Sequence, residues 1–238
     1  MGGQAINVIC LMWVQTIMNY QYRYGGRFTV VAKKLYADGG MLRFYRGFGP
    51  AIFLAPMSRF GDVAANELAT VVLKDSGIPV AVQTAMGSVM AACGRLVIMP
   101  IDAWKTTKQV EGEGGLRMLL AKFQKHPSAP WHGGLGAMTA TWVGHYPWFM
   151  TNNHLRENLP QFNMPCSKQL RFAAIGFMSS AVSDTCSNSF RVLKTVRQTS
   201  VDKISYTQAA RDIIAKDGYV GLFGRGLKTR ILAKGLQG

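Results

Sequence analysis

The sequence contains few charged residues, and acidic residues are the rarer kind. Charged residues make up 16% of the 238 positions, and 12 Asp and Glu stand against 27 Lys and Arg. A soluble domain of average composition is about one quarter charged. The shortage of charge, together with an apolar fraction of 48%, excludes a disordered chain and a highly charged coiled coil. The net charge of +15 indicates an anionic partner, namely a nucleic acid, a membrane surface or an anionic ligand.

Cysteines and recognisable catalytic motifs are also scarce. The widely spaced cysteines are Cys10, Cys93, Cys166 and Cys186. They form no C-x-x-C pair, so we predict small core residues and neither a disulfide framework nor a zinc site. The sequence has no Walker loop, G-x-S-x-G or H-E-x-x-H motif, so we expect neither an enzyme nor a resident cofactor. It has no DNA- or RNA-binding signature, which argues against a nucleic-acid partner, and no secretory signal pattern.

Long apolar stretches are present, but polar residues interrupt each of them. Four stretches approach the roughly 20 residues that cross a bilayer, namely Phe48–Leu73, Ile78–Trp104, Leu135–His154 and Leu170–Phe190. The charged interruptions include Arg59, Asp62, Arg95 and Asp184. Helices with one face on a water-filled cavity tolerate such residues, whereas lipid-exposed helices do not. The alternative is a set of buried helices in a soluble bundle.

The basic residues are concentrated in three blocks that alternate with the apolar stretches. The segments Tyr22–Arg46, Trp104–Gly134 and Arg191–Arg230 hold 6, 5 and 9 Lys and Arg, which is 20 of the 27. If the chain crosses a bilayer between the blocks, all three lie on the same side. This is the asymmetry of the positive-inside rule, and it favours a membrane protein.

The sequence contains a threefold repeat. Related segments begin at Cys10, Pro100 and Ser189, which are 90 and 89 residues apart. Repeats one and three stay in register as far as Gly47 and Gly226, both 37 residues after the start of the segment. We therefore predict a single domain over residues 1–238, with repeats at approximately 1–75, 76–165 and 166–238.

Each repeat is predicted to contain a long helix, a basic amphipathic helix and a second long helix. The amphipathic helices are predicted at Gly26–Ala37, Gly115–Lys125 and Tyr206–Lys216, where apolar residues recur at helical spacing between Lys and Arg. Such helices can lie along a membrane surface. The predicted fold class is all-α.

The segment Pro100-Ile-Asp102-Ala-Trp-Lys105 resembles the signature of the mitochondrial carrier family, and so does Tyr45-Arg46-Gly47. The resemblance covers essentially the whole chain. It implies a multi-pass protein of the mitochondrial inner membrane, built of three repeats of two transmembrane helices and a short matrix helix. The basic blocks would lie on the matrix side.

The resemblance also implies a matrix gate in which ion pairs join the three odd-numbered helices beyond kinks at proline. Pro100 is the matching proline, and the gate positions are Gln15, Asp102, Lys105, Arg191 and Lys194. Repeat one has Cys10 and Met12 in place of Pro and Asp, and repeat three has Ser189 and Arg191. We expect Lys105 to face Arg191, a like-charge pair that favours an open gate or an anion between them.

A substrate cavity is predicted above this gate. Arg95 and Asp184 occupy the same repeat position, and each lies seven residues, or two helical turns, before a gate residue. The predicted cavity residues are Arg59, Arg95, His145, Asn152, Asp184 and Arg230. They suit a small anionic or zwitterionic solute. The alternative is a fixed Arg95–Asp184 ion pair that fills the lumen.

Three corners of the sequence resemble the family's cardiolipin-binding sites, where helix N-termini present amides to phosphate. The residues concerned are Tyr24, Gly26, Tyr45, Arg46, Gly47, Phe223 and Gly226. Only nine residues precede Cys10 and 12 follow Gly226, so we expect the first and sixth spans to be incomplete. Either the sequence is a fragment, or another element fills the gap.

Two functions are consistent with this pattern. The first is transport of a small anionic or amino-acid-like metabolite across the inner membrane by alternating access. The second is an accessory subunit that keeps the carrier fold without transport and belongs to a respiratory complex. Both hypotheses include inner-membrane lipids, cardiolipin among them, as partners.

Overall fold

The computed structural model describes residues 2–73, 80–160 and 167–235, and these ranges are helical with short turns and no strand. The helices in these ranges are α1 Gly2–Tyr24, α2 Phe28–Phe44, α3 Phe48–Leu73, α4 Val80–Glu111, α5 Gly115–Lys125, α6 Gly134–Asn158, α7 Ser167–Thr199, α8 Tyr206–Gly224 and α9 Leu227–Gly235. The predicted all-α class is confirmed. The repeat boundaries predicted near residues 75 and 165 lie outside the described residues.

The helices α1, α3, α4, α6, α7 and α9 form a closed ring. Within each described range the first helix contacts the last one, as α1–α3, α4–α6 and α7–α9. The last helix of each range also packs on the first helix of another, as α3–α4, α6–α7 and α9–α1. The helices α1, α4 and α7 contact one another as well. The same arrangement of contacts therefore occurs in all three ranges, in agreement with the repeat in the sequence.

The apolar stretches of the sequence correspond to α3, α4, α6 and α7. The bounds of α3 match the predicted stretch, whereas α4 continues past Trp104 to Glu111 and α7 continues past Phe190 to Thr199. The extensions are polar, yet Thr107 and Gln109 are fully buried because they face neighbouring helices. Across the described ranges, no helix combines the length and the apolar content required for a bilayer crossing.

Each predicted amphipathic helix overlaps a helix of the structure, but α2 and α8 continue past the predicted ends to Phe44 and Gly224, with non-helical backbone at Gly39 and Gly218. The bounds of α5 are the predicted ones. Helix α2 begins at Phe28 rather than Gly26, because Gly25 and Gly26 have φ angles of 77° and 101° that no continuous right-handed helix accommodates. Helix α8 begins after Ser205, whose hydroxyl accepts a 3.1 Å bond from the Gln208 amide.

The interior of the ring is unusually polar and the exterior unusually apolar. Buried polar residues include Gln21, Asp184 and Asn188. On the outer surface, Phe60 of α3 is 77% exposed and Tyr146 of α6 is 74% exposed. A water-soluble bundle normally has the reverse arrangement.

The cysteines differ from the prediction. Cys10, Cys93 and Cys186 are free thiols on the exposed surface rather than core residues. A small apolar side chain therefore does not by itself distinguish core from exterior in this chain. Cys166 lies outside the described residues.

Candidate functional site

Three glycines place the last helix of each described range against its neighbour. Gly47, Gly133 and Gly226 come directly before α3, α6 and α9, and their φ angles are 97°, 99° and 67°. A Cβ added to Gly47 would lie 3.0 Å from the carbonyl oxygen of Lys105, and one on Gly133 would lie 3.0 Å from that of Lys194. The aromatic-x-Gly motif is therefore a close packing point between one helix and the next around the ring.

A buried cation accompanies each of these contacts. Arg43 donates to the carbonyls of Gln109 and Val110 at the end of α4, at 2.9 and 2.8 Å. Lys122 donates 2.7 Å to the carbonyl of Ser200, just after α7, and Arg225 donates 3.2 Å to the carbonyl of Arg23. Cations at these positions stabilise helix carboxyl ends by pairing with unsatisfied carbonyls. At all three junctions of the ring, a buried cation therefore binds carbonyl groups at the carboxyl end of the neighbouring helix.

The predicted gate residues meet where α1, α4 and α7 converge. The Lys194 ammonium lies 2.5 Å from Oδ2 of Asp102 and joins α7 to α4. The Lys105 ammonium donates 3.0 Å to Oε1 of Gln15 and joins α4 to α1. Four of the five gate residues are therefore joined in two pairs. One is an ion pair, and the other is a hydrogen bond from an ammonium group to an uncharged amide. Helix α4 continues without interruption through Pro100.

Arg191, the fifth gate residue, has its charged partner on its own helix. Its Nη2 lies 3.8 Å from Oδ1 of Asp184, two turns earlier on α7. Arg230 of α9 binds the same oxygen at 2.7 Å. Arg191 therefore has a carboxylate as its charged neighbour, while Lys105, which lines the same cavity, has Gln15. Asp184 thus lies between two guanidinium groups.

A cavity of about 470 Å³ lies between the converging helices. Its described basic lining residues are Arg95, Lys105, Arg191, Lys194 and Lys234. Asp102 is the acidic residue among the described lining, and α3 and α6 contribute small or apolar side chains such as Ala51 and Ala140. The volume falls in the range of about 300–1,000 Å³ that is typical of small-ligand sites. The positive charge therefore comes from α4, α7 and α9.

The other predicted cavity residues are placed differently. Asp184 and Arg230 lie beside the cavity in their ion pair and do not belong to its described lining. The half-buried ring of His145 packs edge-on against Phe149, with 6.2 Å between ring centroids. Asn152 is buried on α6, and the side chain of Arg59 lies outside the described part of the chain.

The residues predicted to bind lipid use several of their polar groups within the protein. The Tyr24 hydroxyl donates 2.7 Å to Glu111, and the Tyr45 hydroxyl donates 3.1 Å to the carbonyl of Ile9. Arg46 donates 2.7 Å to Glu113. Phe223 is exposed, while Gly26 accepts a 2.9 Å bond from Gln21 through its carbonyl. These residues lie at or near helix starts, as predicted, but several of their polar groups make contacts between helices.

Two ionisable groups at the α5–α7 junction have shifted pKa values. Burial, with the nearby charges of Arg23 and Arg197, lowers the pKa of Lys122 from 10.5 to about 8. Burial, followed by the charge of Lys122 as the next cause, lowers the pKa of His132 from 6.5 to about 4. His132 is therefore neutral at physiological pH.

Sequence reasoning missed a polar position nine residues into each related segment, occupied by Asn19, Gln109 and Gln198. Asn19 donates 2.6 Å to Oε1 of Gln109, and Gln198 donates 3.4 Å to Oδ2 of Asp102. These amides brace the convergence of α1, α4 and α7 next to the gate pair. The signal was available, because the repeat alignment places an amide at this position three times.

A comparison with models of known protein families found no match to this chain, and a comparison with curated proteins found none either.

Proposed function

We propose that this protein is a membrane carrier for a small anion and a divergent member of the mitochondrial carrier family. The observation that supports the proposal best is the basic cavity bounded at one end by the Asp102–Lys194 ion pair. Alternating access requires a binding cavity that is closed towards one side of the membrane, and this ion pair would provide the closure. The basic blocks would face the matrix side of the inner membrane.

The arrangement gives a mechanism for coupling binding to opening. An anion that enters the cavity can accept hydrogen bonds from Lys105 and Lys194, and so competes with Gln15 and Asp102 for these two donors. Loss of the ion pair is then offset by new charge-assisted bonds to the solute. Because the same two links join α1, α4 and α7, their exchange for solute contacts would free the convergence point to open.

The distribution of polarity supports a position in lipid. Polar and charged residues line the interior, while large apolar side chains such as Phe53, Phe60 and Trp142 are exposed on the outside. Exposed apolar surface on this scale indicates contact with a membrane or another protein. The amphipathic helices α2, α5 and α8 would lie at the headgroups, where their cations attract anionic lipids such as cardiolipin.

Transport can be tested with purified protein in cardiolipin-containing liposomes. Wild-type protein should take up a labelled small anion against a preloaded counter-anion. The substitution Arg95→Ala should lower uptake by about 10–100-fold, because a charged hydrogen bond contributes roughly 1.5–3 kcal/mol. Arg211→Ala, on the exposed face of α8, is the control with unchanged uptake. If Arg95→Ala transports as well as wild type, the assignment of the cavity is wrong.

Membrane integration can be tested separately. After alkaline carbonate washing of mitochondrial membranes, the protein should remain in the pellet. A protein released into the supernatant would contradict the membrane position whatever the transport assay gives.

A second function is that of a transport-inactive accessory subunit in a larger inner-membrane complex. It is favoured by the Lys105–Gln15 hydrogen bond, whose acceptor is an uncharged amide rather than a carboxylate. A gate in which one of the pairs is a hydrogen bond to an uncharged amide is less stable when closed than a gate made of ion pairs throughout. Co-purification with a respiratory complex at fixed stoichiometry, without uptake in liposomes, would support this function over transport.

A further inference from the structure

The three helices that converge at the closed end of the cavity are joined unequally. The Lys194–Asp102 ion pair joins α7 to α4, and the ammonium of Lys105 joins α4 to α1 through Gln15. Helices α1 and α7 also pack on each other. Among the side chains that the structure describes, however, no hydrogen bond or ion pair joins α1 to α7 directly. The third side of the convergence is therefore held in another way.

Helix α9 is bound to α7 through buried polar side chains. Nε of Arg230 lies 2.7 Å from Oδ1 of Asp184, whose side chain is 5% exposed. One turn further along α7, the fully buried Asn188 donates to the carbonyls of Phe223 and Arg225 at 2.8 and 3.1 Å. Adjacent turns of α7 therefore hold both the first turn of α9 and the segment that leads into it.

The same short helix is bound to α1. The Thr229 hydroxyl donates 2.5 Å to Oε1 of Gln21, and both side chains are buried. Gly226, directly before α9, packs on the ring of Tyr22, where an added Cβ would lie 2.6 Å from a ring carbon. Because Thr229 and Arg230 are successive residues, a single turn of α9 contacts both α1 and α7.

The ion pair between α9 and α7 is specific to the third repeat. Counted from the glycine before each last helix, Arg230 corresponds to Ala51 and Ala137, which line the cavity. Neither alanine can form an ion pair, so α3 and α6 have no counterpart of the arginine at this position. The third repeat is also the one in which Arg191 stands at the position of the acidic Asp102.

We propose that α9 links α7 to α1 at the closed end of the cavity, with Arg230 and Thr229 as positioning residues. The link takes the place of a direct bond between the two helices, and release of α9 from either of them allows them to separate. This assigns Asp184 and Arg230 to closure rather than to solute binding. It rests on the proposed function, in which the convergence of α1, α4 and α7 opens and closes.

The charges around Asp184 make one substitution especially informative. Nη2 of Arg191 lies 3.8 Å from the same carboxylate oxygen that Arg230 approaches. In Arg230→Ala the carboxylate therefore keeps a partner on its own helix. The contact between α7 and α9 is lost without leaving a buried carboxylate unpaired, which would destabilise the whole fold.

The experiment measures the exposure of a buried side chain between α1 and α7. Val192 is fully buried in a cluster that joins Tyr22 of α1 to α7 and α8. In a background in which serine replaces the four native cysteines, the thiol of Val192→Cys reacts with a maleimide only when this cluster opens. Ile17→Cys, buried between α1 and α2 in a separate cluster, reports general loosening. Labelling rates are measured on the purified protein in detergent.

Arg230→Ala should raise the labelling rate of Val192→Cys by about 10-fold or more, because the rate follows the open population. The labelling rate of Ile17→Cys should stay unchanged. Thr229→Val keeps the shape of the side chain and removes its hydroxyl, so it should raise the rate at Val192→Cys by about 2–10-fold. Lys228→Ala, exposed on the same helix, is the control that leaves both rates unchanged.

A charge exchange tests the ion pair itself. Arg230→Asp combined with Asp184→Arg restores a pair between α9 and α7 and should return the labelling of Val192→Cys to within a few-fold of its slow rate. A rate as high as that of Arg230→Ala would count against the pair. If Arg230→Ala fails to fold, Thr229→Val decides: faster labelling supports the link, and an unchanged rate overturns it.

Three results would overturn the proposal. The first is unchanged labelling of Val192→Cys in folded Arg230→Ala, and the second is an equal increase in Lys228→Ala. The third is an equal increase at Ile17→Cys, which would show general loosening instead of a released link. Uptake in liposomes is a separate measurement. The expected labelling without uptake contradicts transport and leaves the link standing, whereas unchanged labelling with normal uptake contradicts the link and leaves transport standing.

Discussion

The ammonium of Lys194 lies 2.5 Å from a carboxylate oxygen of Asp102, so an ion pair joins α7 to α4 at the closed end of the cavity. Both side chains are about 80% shielded from solvent. Breaking the pair therefore leaves a poorly solvated charge rather than a hydrated one.

Asp102→Asn should lower the free energy of unfolding by about 1–3 kcal/mol, because Lys194 and Lys105 then share a site without a counter-charge. The measurement is the thermal midpoint in detergent. Exchange of the two charges, Asp102→Lys with Lys194→Asp, should recover most of the loss. Asp212→Asn on the exposed face of α8 is the control, and an equal effect from it would refute the role of the pair.

Gly47→Ala should be strongly destabilising. The added Cβ would lie 3.0 Å from the Lys105 carbonyl, at a backbone position with φ of 97°. Left-handed strain costs about 1–2 kcal/mol and overpacking about 1–3 kcal/mol more. Gly49→Ala, two residues later in α3 with open space around it, should be neutral or stabilising by up to about 1 kcal/mol. Equal stability of the two variants by thermal unfolding would contradict the close approach.

The lowered pKa of Lys122 makes stability depend on alkaline pH. The folded protein releases this proton near pH 8, whereas the unfolded chain keeps it until about 10.5. The free energy of unfolding should therefore rise with pH between about 8 and 10.5, relative to a Lys122→Met variant. Below pH 8 the difference should be constant. Lys125→Met, exposed on the same helix, should follow wild type. A difference that falls with pH would mean that Lys122 is stabilised in its charged form.

His132 should have its effect on the acidic side. The unfolded chain takes up a proton near pH 6.5, but folded His132 does so only near pH 4. Stability should therefore fall as the pH falls from about 6.5 to 4, and His132→Gln should flatten this part of the curve. Direct NMR titration of the imidazole gives the same quantity independently. The prediction fails if the folded-state His132 imidazole titrates near pH 6.5.

Much of the helix pattern could be predicted from local sequence. The bounds of α3 and α5 follow from their apolar spacing and from the glycines before them. The repeat spacing also placed Asp102, Lys105 and Lys194 at one level, because residues at equal distances from equivalent starts occupy equivalent places in the ring. These predictions use only helix periodicity and the repeat.

The partners of individual charges could not be predicted in the same way. The helix itself places Asp184 two turns before Arg191, but the second guanidinium on Asp184 comes from Arg230 of α9. Lys122 stabilises the end of α7 from a surface helix in the preceding range, at a position with no counterpart in the alignment. Such contacts depend on how α5 and α9 lie against α7, and nothing local in the sequence encodes that.

The contact of α9 with α1 joins the C-terminal part of the described chain to its N-terminal part. Thr229 donates to the side chain of Gln21, and Arg225 reaches the carbonyl of Arg23. The ring is therefore continuous across the α9–α1 contact, just as it is across α3–α4 and α6–α7. A circularly permuted gene, opened between the second and third units and joined across α9 and α1 by a suitable linker, keeps every one of these junctions.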